Sequence, residues 1–116
     1  MESTKNNNKK AFVELQSDFF HFMVEEGGIA KKTSKDYISR LKFLSCDYLL
    51  DKSITEEYIE YILRQEDVKR NYRDVYQTKH AIIDFRAGLK KFYSFVNSNL
   101  YFVHFGSESL AHLYTS

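Results

Sequence analysis

Apolar residues recur every three or four positions along most of this chain, the spacing that places side chains on one face of an α-helix. The strongest stripe predicts a helix from about Tyr76 to Asn97. Its apolar positions are separated by three, four, three and four residues, in the order Ile82, Phe85, Leu89, Phe92 and Val96. Similar stripes predict helices over about 11–26, from Thr33 through Tyr48, and over about 53–65. The pattern predicts an all-α fold, a compact orthogonal bundle of four main helices.

Local signals predict where three of these helices begin or end. Gly27-Gly28 is expected to end the first helix, since glycine reaches the left-handed conformation that often follows a helix. Thr33 is expected to cap the second helix as the first residue of a capping box. Thr55 is the expected N-cap of the third helix, with Ile54 packing against Ile59 as a hydrophobic staple.

The polar segments divide the chain. Residues 1–10, rich in Asn and Lys, are expected to form a disordered lead-in, and 66–74 a loop. Residues 98–116 form a tail or linker, in which 100–105 fits either a short strand or an apolar flap and 107–114 fits one more short helix. This leaves one helical domain over 11–97, because 116 residues suffice for a single core.

The composition limits the class of protein. Hydrophobic residues make up 43% and charged residues 28% of the chain, which is typical of a soluble globular domain. The polar N-terminus leads into no signal-peptide pattern, and a single cysteine, Cys46, is expected to be a buried free thiol in a reducing compartment. We therefore expect a cytoplasmic protein. The four histidines show no metal-ligand spacing, so no metal or other cofactor is predicted.

Charge is unevenly distributed although the formal net charge is only +1. Five basic residues face one acid over 31–42, and four face one acid over 79–91. Over 51–67 the balance reverses, with six acids and two basic residues. Helices 2 and 4 are therefore expected to present one electropositive side, and helix 3 a separate acidic side.

Basic side chains share one face on each of helices 2 and 4, as phosphate contacts require. Lys35, Ser39 and Lys42 are spaced by four and three residues, and a helix N-terminus beside them adds amide donors. The candidate DNA-binding residues are Lys31, Lys32, Thr33, Lys35, Ser39, Lys42, Lys79, His80, Arg86 and Lys90. Charge alone leaves open the alternative that these lysines form an ordinary solvated face, and Arg40 can pair with Asp36 one turn earlier.

Two segments resemble the core-binding domain, or SAM-like N-terminal domain, of the tyrosine recombinases, also called phage integrases. The segment GIAKKTSKDYISRLKFL resembles its opening, through Thr33, Tyr37, Leu41 and Phe43. The segment AIIDFRAGLKKFYSFV resembles its last helix, through Ala87, Lys90 or Lys91, Phe92-Tyr93 and Phe95. The likeness covers about 12–97 and rests on the order and spacing of its motifs.

The resemblance implies a domain that holds double-stranded DNA with helices 2 and 4, in or near the major groove, in support of DNA integration and recombination. It also implies contacts between protomers on DNA, and a bacterial, phage or mobile-element origin. We expect no recombinase catalytic domain in this chain. Gly106, His112 and Tyr114 resemble the residues near the end of that domain, and we attribute this likeness to chance. We therefore expect no enzyme in this chain alone, no membrane and no small-molecule substrate.

The alternative is a helical module that binds another protein without binding DNA. It would dock its partner through the acidic helix 3 or through the aromatic tail, where Tyr101, Phe102 and Phe105 would serve as exposed anchors.

Overall fold

Four α-helices form the described part of the chain. The structure is a computed structural model that describes residues 2–70 and 75–98, with side chains from 7–69 and 80–98. The helices are α1 (Glu2–His21), α2 (Lys31–Leu44), α3 (Glu56–Arg70) and α4 (Val75–Val96), and a π-helical turn, Phe22–Glu26, continues α1. The described residues contain no strand, so the predicted all-α bundle of four main helices is confirmed. The predicted C-terminal element lies outside them.

The first helix begins at Glu2, about nine residues earlier than expected. The segment predicted as a disordered lead-in thus forms the first turns of α1 from Glu2 onward. The physical reason is that no Pro or Gly occurs before Gly27, and that Lys and Glu are good helix formers. Polar composition alone did not distinguish an exposed helix from a disordered segment.

The end of the first helical segment is as predicted. The amide of Gly27 donates to the carbonyl of Phe22, and that of Ile29 to the carbonyl of Met23, both at 3.0 Å. Gly28 has a φ of 63°, the left-handed conformation that costs a residue with a Cβ atom about 1 kcal/mol. The chain therefore reverses here and brings α2 back along α1.

The predicted capping box at the start of α2 is wrong. The helix begins at Lys31, its N-cap is Ala30, and no side chain caps it. The amide of Ser34 donates to the carbonyl of Ala30 at 2.9 Å, so Thr33 already lies within the first turn. The helix begins before Thr33 because the carbonyl of Ala30 accepts the first helical hydrogen bond, and no side-chain cap is needed.

The predicted cap of α3 is confirmed. The hydroxyl oxygen of Thr55 accepts a hydrogen bond from the amide of Tyr58 at 3.1 Å. The carbonyl of Thr55 accepts the first helical bond, from Ile59 at 3.0 Å. Ile54 and Ile59 are both buried in the core, as a hydrophobic staple requires.

The third helix extends to Arg70, so the loop predicted over 66–74 is wrong for 66–70. Glu66 is only 3% exposed, and its carboxylate accepts a hydrogen bond from the hydroxyl of Tyr48 at 2.8 Å. Glu66 is polar and so suggested a loop, but it is buried within the helix because its carboxylate has a hydrogen-bond partner in Tyr48.

Phenylalanine rings join α1 to α4 in the core. The ring of Phe19 lies 5.3 Å from that of Phe92 and 5.4 Å from that of Phe95, and Phe12 lies 5.6 Å from Phe92. All four rings are fully buried. Such tilted and edge-to-face pairs are favourable aromatic geometries, and they fix how α1 lies against α4.

Gly88 marks the place where α2 packs on α4. A Cβ atom at Gly88 would lie 3.4 Å from Cδ2 of Leu41 and 3.6 Å from Cδ1 of Tyr37. Helix α4 also packs on α3, and α2 packs on α1. Among the described residues, one groove lies between α1 and α2 and another between α3 and α4.

Candidate nucleic-acid interface

The groove between α1 and α2, the α1–α2 groove, encloses about 550 Å³. Helix α1 lines it with Gln16, Ser17, Phe20 and His21. Helix α2 lines it with Lys35, Ile38, Ser39 and Lys42. Three of the residues predicted to contact DNA thus meet α1 residues that the sequence did not single out.

The spacing within α2 explains why these side chains share the groove. Lys35, Ser39 and Lys42 are four and three residues apart, so they follow one face of the helix. Ile38 is buried beside them and forms part of the floor. No described residue that lines this groove is an acid, although at one end Nδ1 of His21 lies 3.6 Å from Oε1 of Glu25.

The start of α2 extends the same basic surface. Lys31, Lys32 and Thr33 are all exposed, and the first turn carries no acid and no side-chain cap. The first amides of a helix have no partner within the helix and carry a partial positive charge. The start of α2 therefore combines two lysines with amide donors, an arrangement that favours anions.

The predicted basic face of α4 has different surroundings. Nη1 of Arg86 lies 2.5 Å from Oε1 of Glu60 on α3. Lys90 lines the α3–α4 groove, about 330 Å³ in volume. That groove is also lined by Glu56, Ile59, Glu60, Tyr93 and Ser94.

The separation of an acidic α3 from a basic α4 was therefore predicted wrongly. Arg86 and Lys90 face α3, because this side of α4 is the one on which α3 packs. They do not line the α1–α2 groove. His80 is exposed on the first part of α4, and the side chain of Lys79 lies outside the described residues.

Arg40 connects α2 to α4. Its Nη2 lies 3.7 Å from Oδ2 of Asp84, and its guanidinium carbon lies 5.9 Å from the centre of the Tyr37 ring. The partner is thus not Asp36, which the sequence suggested. Arg40 belongs to the contact between the two helices and lies away from the lysines of the groove.

Ser17 and His21 of α1 line the groove although neither was predicted as a site residue. They are four residues apart and line the groove beside Phe20. Their spacing is a usable signal for a polar row next to the apolar stripe. The spacing does not predict that α2 packs along this row.

A polar cluster outside both grooves connects the α2–α3 loop to the end of α3. Oε2 of Glu66 lies 3.0 Å from Nζ of Lys69, which lies 5.1 Å from the centre of the Tyr48 ring. Burial, followed by the hydrogen bond to Glu66, raises the pKa of Tyr48 to about 12. Burial alone would lower the pKa of Lys69, but hydrogen bonds to Glu66 and Tyr48 outweigh it and raise this pKa.

Comparisons with protein-family models, with curated proteins and with solved structures find no match to this chain. Across the described ranges, no helix has the length and apolar character needed to span a membrane. Among the described side chains, those of 7–69 and 80–98, no three His, Cys, Asp or Glu residues are grouped so that they would hold a metal ion.

Proposed function

We propose that this chain is a DNA-binding domain that holds duplex DNA against the exposed face of α2. One observation carries the proposal. Lys31, Lys35 and Lys42 form a row on one face of α2, next to a groove whose described lining contains no carboxylate. The resemblance to tyrosine recombinases adds that such a domain would serve DNA integration or recombination, with catalysis supplied by another domain.

The helix geometry supports a single row. At about 100° per residue, Lys31, Lys35, Ser39 and Lys42 fall within a sector about 80° wide. Among the described residues, none of the three lysines has an ion-pair partner. Unpaired cations along one face are available to phosphates, and phosphate contacts supply most of the affinity of sequence-independent DNA binding.

The proposal gives α2 the main role and α4 a smaller one. The charge of Arg86 is offset by Glu60 at 2.5 Å, and Lys90 shares its groove with two glutamates. Acids this close reduce the attraction of both side chains for DNA. Substitution of Lys90 is therefore expected to change DNA affinity less than substitution of Lys35 or Lys42.

Salt dependence tests the proposal directly. With three phosphate contacts, the logarithm of the association constant is expected to fall with the logarithm of the salt concentration at a slope of about −2.7. The affinity for DNA should then drop about 40-fold between roughly 50 mM and 200 mM salt. Fluorescence anisotropy with a short duplex of random sequence measures this slope. Absence of binding at the lower salt concentration would refute the proposal.

A triple variant then identifies the face. Lys31→Gln, Lys35→Gln and Lys42→Gln together are expected to remove this slope and leave the far-UV circular dichroism spectrum unchanged, since all three side chains project from a formed helix. If a folded triple variant binds DNA as the unaltered chain does, the contacts lie elsewhere.

A protein-interaction module remains a second candidate, and one observation favours it. Leu49 and Tyr61 are 41% and 46% exposed, and the ring of Tyr61 stacks on that of Tyr58 at 6.1 Å. Exposed apolar side chains grouped in this way are typical of docking surfaces. Tyr61→Lys would disrupt such a surface without touching α2, so DNA binding that survives it would separate the two functions.

A further inference from the structure

We infer that the α1–α2 groove binds the sugar-phosphate backbone of one DNA strand, with Lys35 and Lys42 contacting different phosphates. This inference rests on the proposed function and specifies where the strand lies. It assigns a role to α1, whose side chains form the second wall of the groove, and it excludes the α3–α4 groove as a strand site.

The length of the lysine row favours a strand over a small anion. At a rise of about 1.5 Å per residue, Lys35 and Lys42 are about 10 Å apart along the helix axis, and Lys31 extends the row to about 16 Å. Successive phosphates of one strand advance about 3.4 Å along the duplex axis. The row thus matches several phosphates in sequence, whereas a free phosphate ion offers one centre of charge.

The other groove walls fit the rest of a backbone. Ser17 and Ser39 bring one hydroxyl from each helix, and hydroxyls are common donors to phosphate oxygens. Phe20 and Ile38 supply apolar surface suited to the carbon face of a sugar ring. A groove of about 550 Å³ has room for more than one phosphate group. A strand in it can therefore contact the hydroxyls through its phosphates and the apolar side chains through its sugars.

The α3–α4 groove provides an internal comparison. It lies on another side of the same bundle, and its lining combines Lys90 with Glu56 and Glu60. Each groove also has an exposed serine that can be substituted, Ser17 of α1 in the first groove and Ser94 of α4 in the second. A carboxylate introduced at either serine adds the same charge at a helix surface, so only the location differs.

The test compares Ser17→Glu with Ser94→Glu by anisotropy with duplex DNA. Ser17→Glu is expected to weaken binding about tenfold at moderate salt, comparable with losing one phosphate contact. Ser94→Glu is expected to stay within about twofold, because the affected groove already contains carboxylates.

Single lysine variants provide a second readout. Lys35→Gln and Lys42→Gln should each reduce the salt slope by about 0.9, and the double variant by about 1.8. Lys90→Gln should leave the slope unchanged. These exposed or partly exposed positions also keep the test valid should Ser17→Glu fail to fold.

The outcomes separate the inference from the proposed function. In one outcome the unaltered chain binds DNA with a steep salt dependence while the two serine variants have equal effects, or while the lysine variants keep its slope. Either result overturns the inference that the groove holds the strand and leaves the proposed DNA binding in place. No binding by the unaltered chain removes both. Displacement of DNA by millimolar inorganic phosphate at constant ionic strength would show a small-anion site and would also overturn the inference.

Discussion

Glu66 offers the sharpest test of the fold, because two descriptions of α3 disagree at this residue. Sequence rules end the helix before Glu66 and expose it in a loop. The structure keeps it helical, 3% exposed, with its carboxylate 2.8 Å from the hydroxyl of Tyr48. Replacing Glu66 with Ala removes this acceptor and leaves the hydrogen of the Tyr48 hydroxyl without an acceptor, in a side chain that is 7% exposed.

The expected loss follows from these contacts. A hydrogen bond to a charged group contributes about 1.5–3 kcal/mol, and most of that is lost when the remaining partner is buried. The ion pair of Lys69 with Glu66 is exposed on one side only, since the two side chains are 51% and 4% exposed, and we expect it to add about 1 kcal/mol or less. Glu66→Ala should therefore lower the free energy of unfolding by about 2–3 kcal/mol.

A double-mutant cycle isolates the bond. Urea unfolding followed by circular dichroism gives the free energy of unfolding for Glu66→Ala, Tyr48→Phe and the double variant. The coupling energy is expected to be about 1–3 kcal/mol. The control is Asp67→Ala, which removes a neighbouring but exposed carboxylate and should change stability by no more than about 0.5 kcal/mol.

A loop at this position would give a different result. Glu66→Ala would then resemble Asp67→Ala, and the coupling to Tyr48 would fall below about 0.5 kcal/mol. Either observation would refute the buried pair and restore the end of α3 near Gln65.

Three further measurements test other parts of the fold. Ser34→Ala should raise the free energy of unfolding by about 1 kcal/mol, because the buried Ser34 hydroxyl has no hydrogen-bond partner among the described residues and Ala is the better helix former; a loss of stability in urea would reveal a partner. Thr55→Ala should cost about 1 kcal/mol by removing a cap, whereas Thr33→Ala should change little, and equal losses would contradict the assigned caps. Tyr48 binds its proton more tightly when folded, with a pKa of about 12, so this stabilisation is complete below the unfolded pKa of about 10 and is lost as pH rises toward 12. Burial also raises the pKa of Tyr58, so ultraviolet titration is compared with Tyr48→Phe: the variant should lose one tyrosinate that forms near pH 12, and identical curves at that pH would contradict the raised pKa of Tyr48.

Two helix boundaries that depend on neighbouring residues were predicted correctly, whereas the cap predicted at Thr33 was wrong. The end of α1 at Gly27-Gly28 depends on one backbone conformation, and the cap at Thr55 on an amide three residues away. The end of α3 depends on Glu66 meeting Tyr48, 18 residues earlier in the chain. Such a partner cannot be inferred from local composition, so the burial of Glu66 was out of reach of local rules.

The candidate interface divides in the same way. The row formed by Lys35, Ser39 and Lys42 follows from helical spacing alone, and the structure places all three along one groove. Which helix covers the other side of that row is a question of packing, and so is the pairing of Arg86 with Glu60. Sequence spacing therefore predicted the polar row on α2, but not that α1 forms the other wall of the groove. It also predicted one basic surface shared by α2 and α4, whereas Arg86 and Lys90 of α4 lie beside α3 instead.

This division explains how a chain with a net charge of only +1 keeps an excess of basic residues on α2. The acidic excess over 51–67 lies largely on α3, and the basic excess over 79–91 lies on α4. Because α3 packs on α4 and Glu60 pairs with Arg86, these opposite charges offset each other at short range, where their fields cancel. Over 31–42, Arg40 pairs with Asp84 of α4. The lysines of the row have no acidic helix against them, because α1 lines their groove with Gln16, Ser17, Phe20 and His21. The total charge therefore understates the basic excess of α2, and the packing of the helices limits the proposed DNA-binding surface to the α1–α2 side.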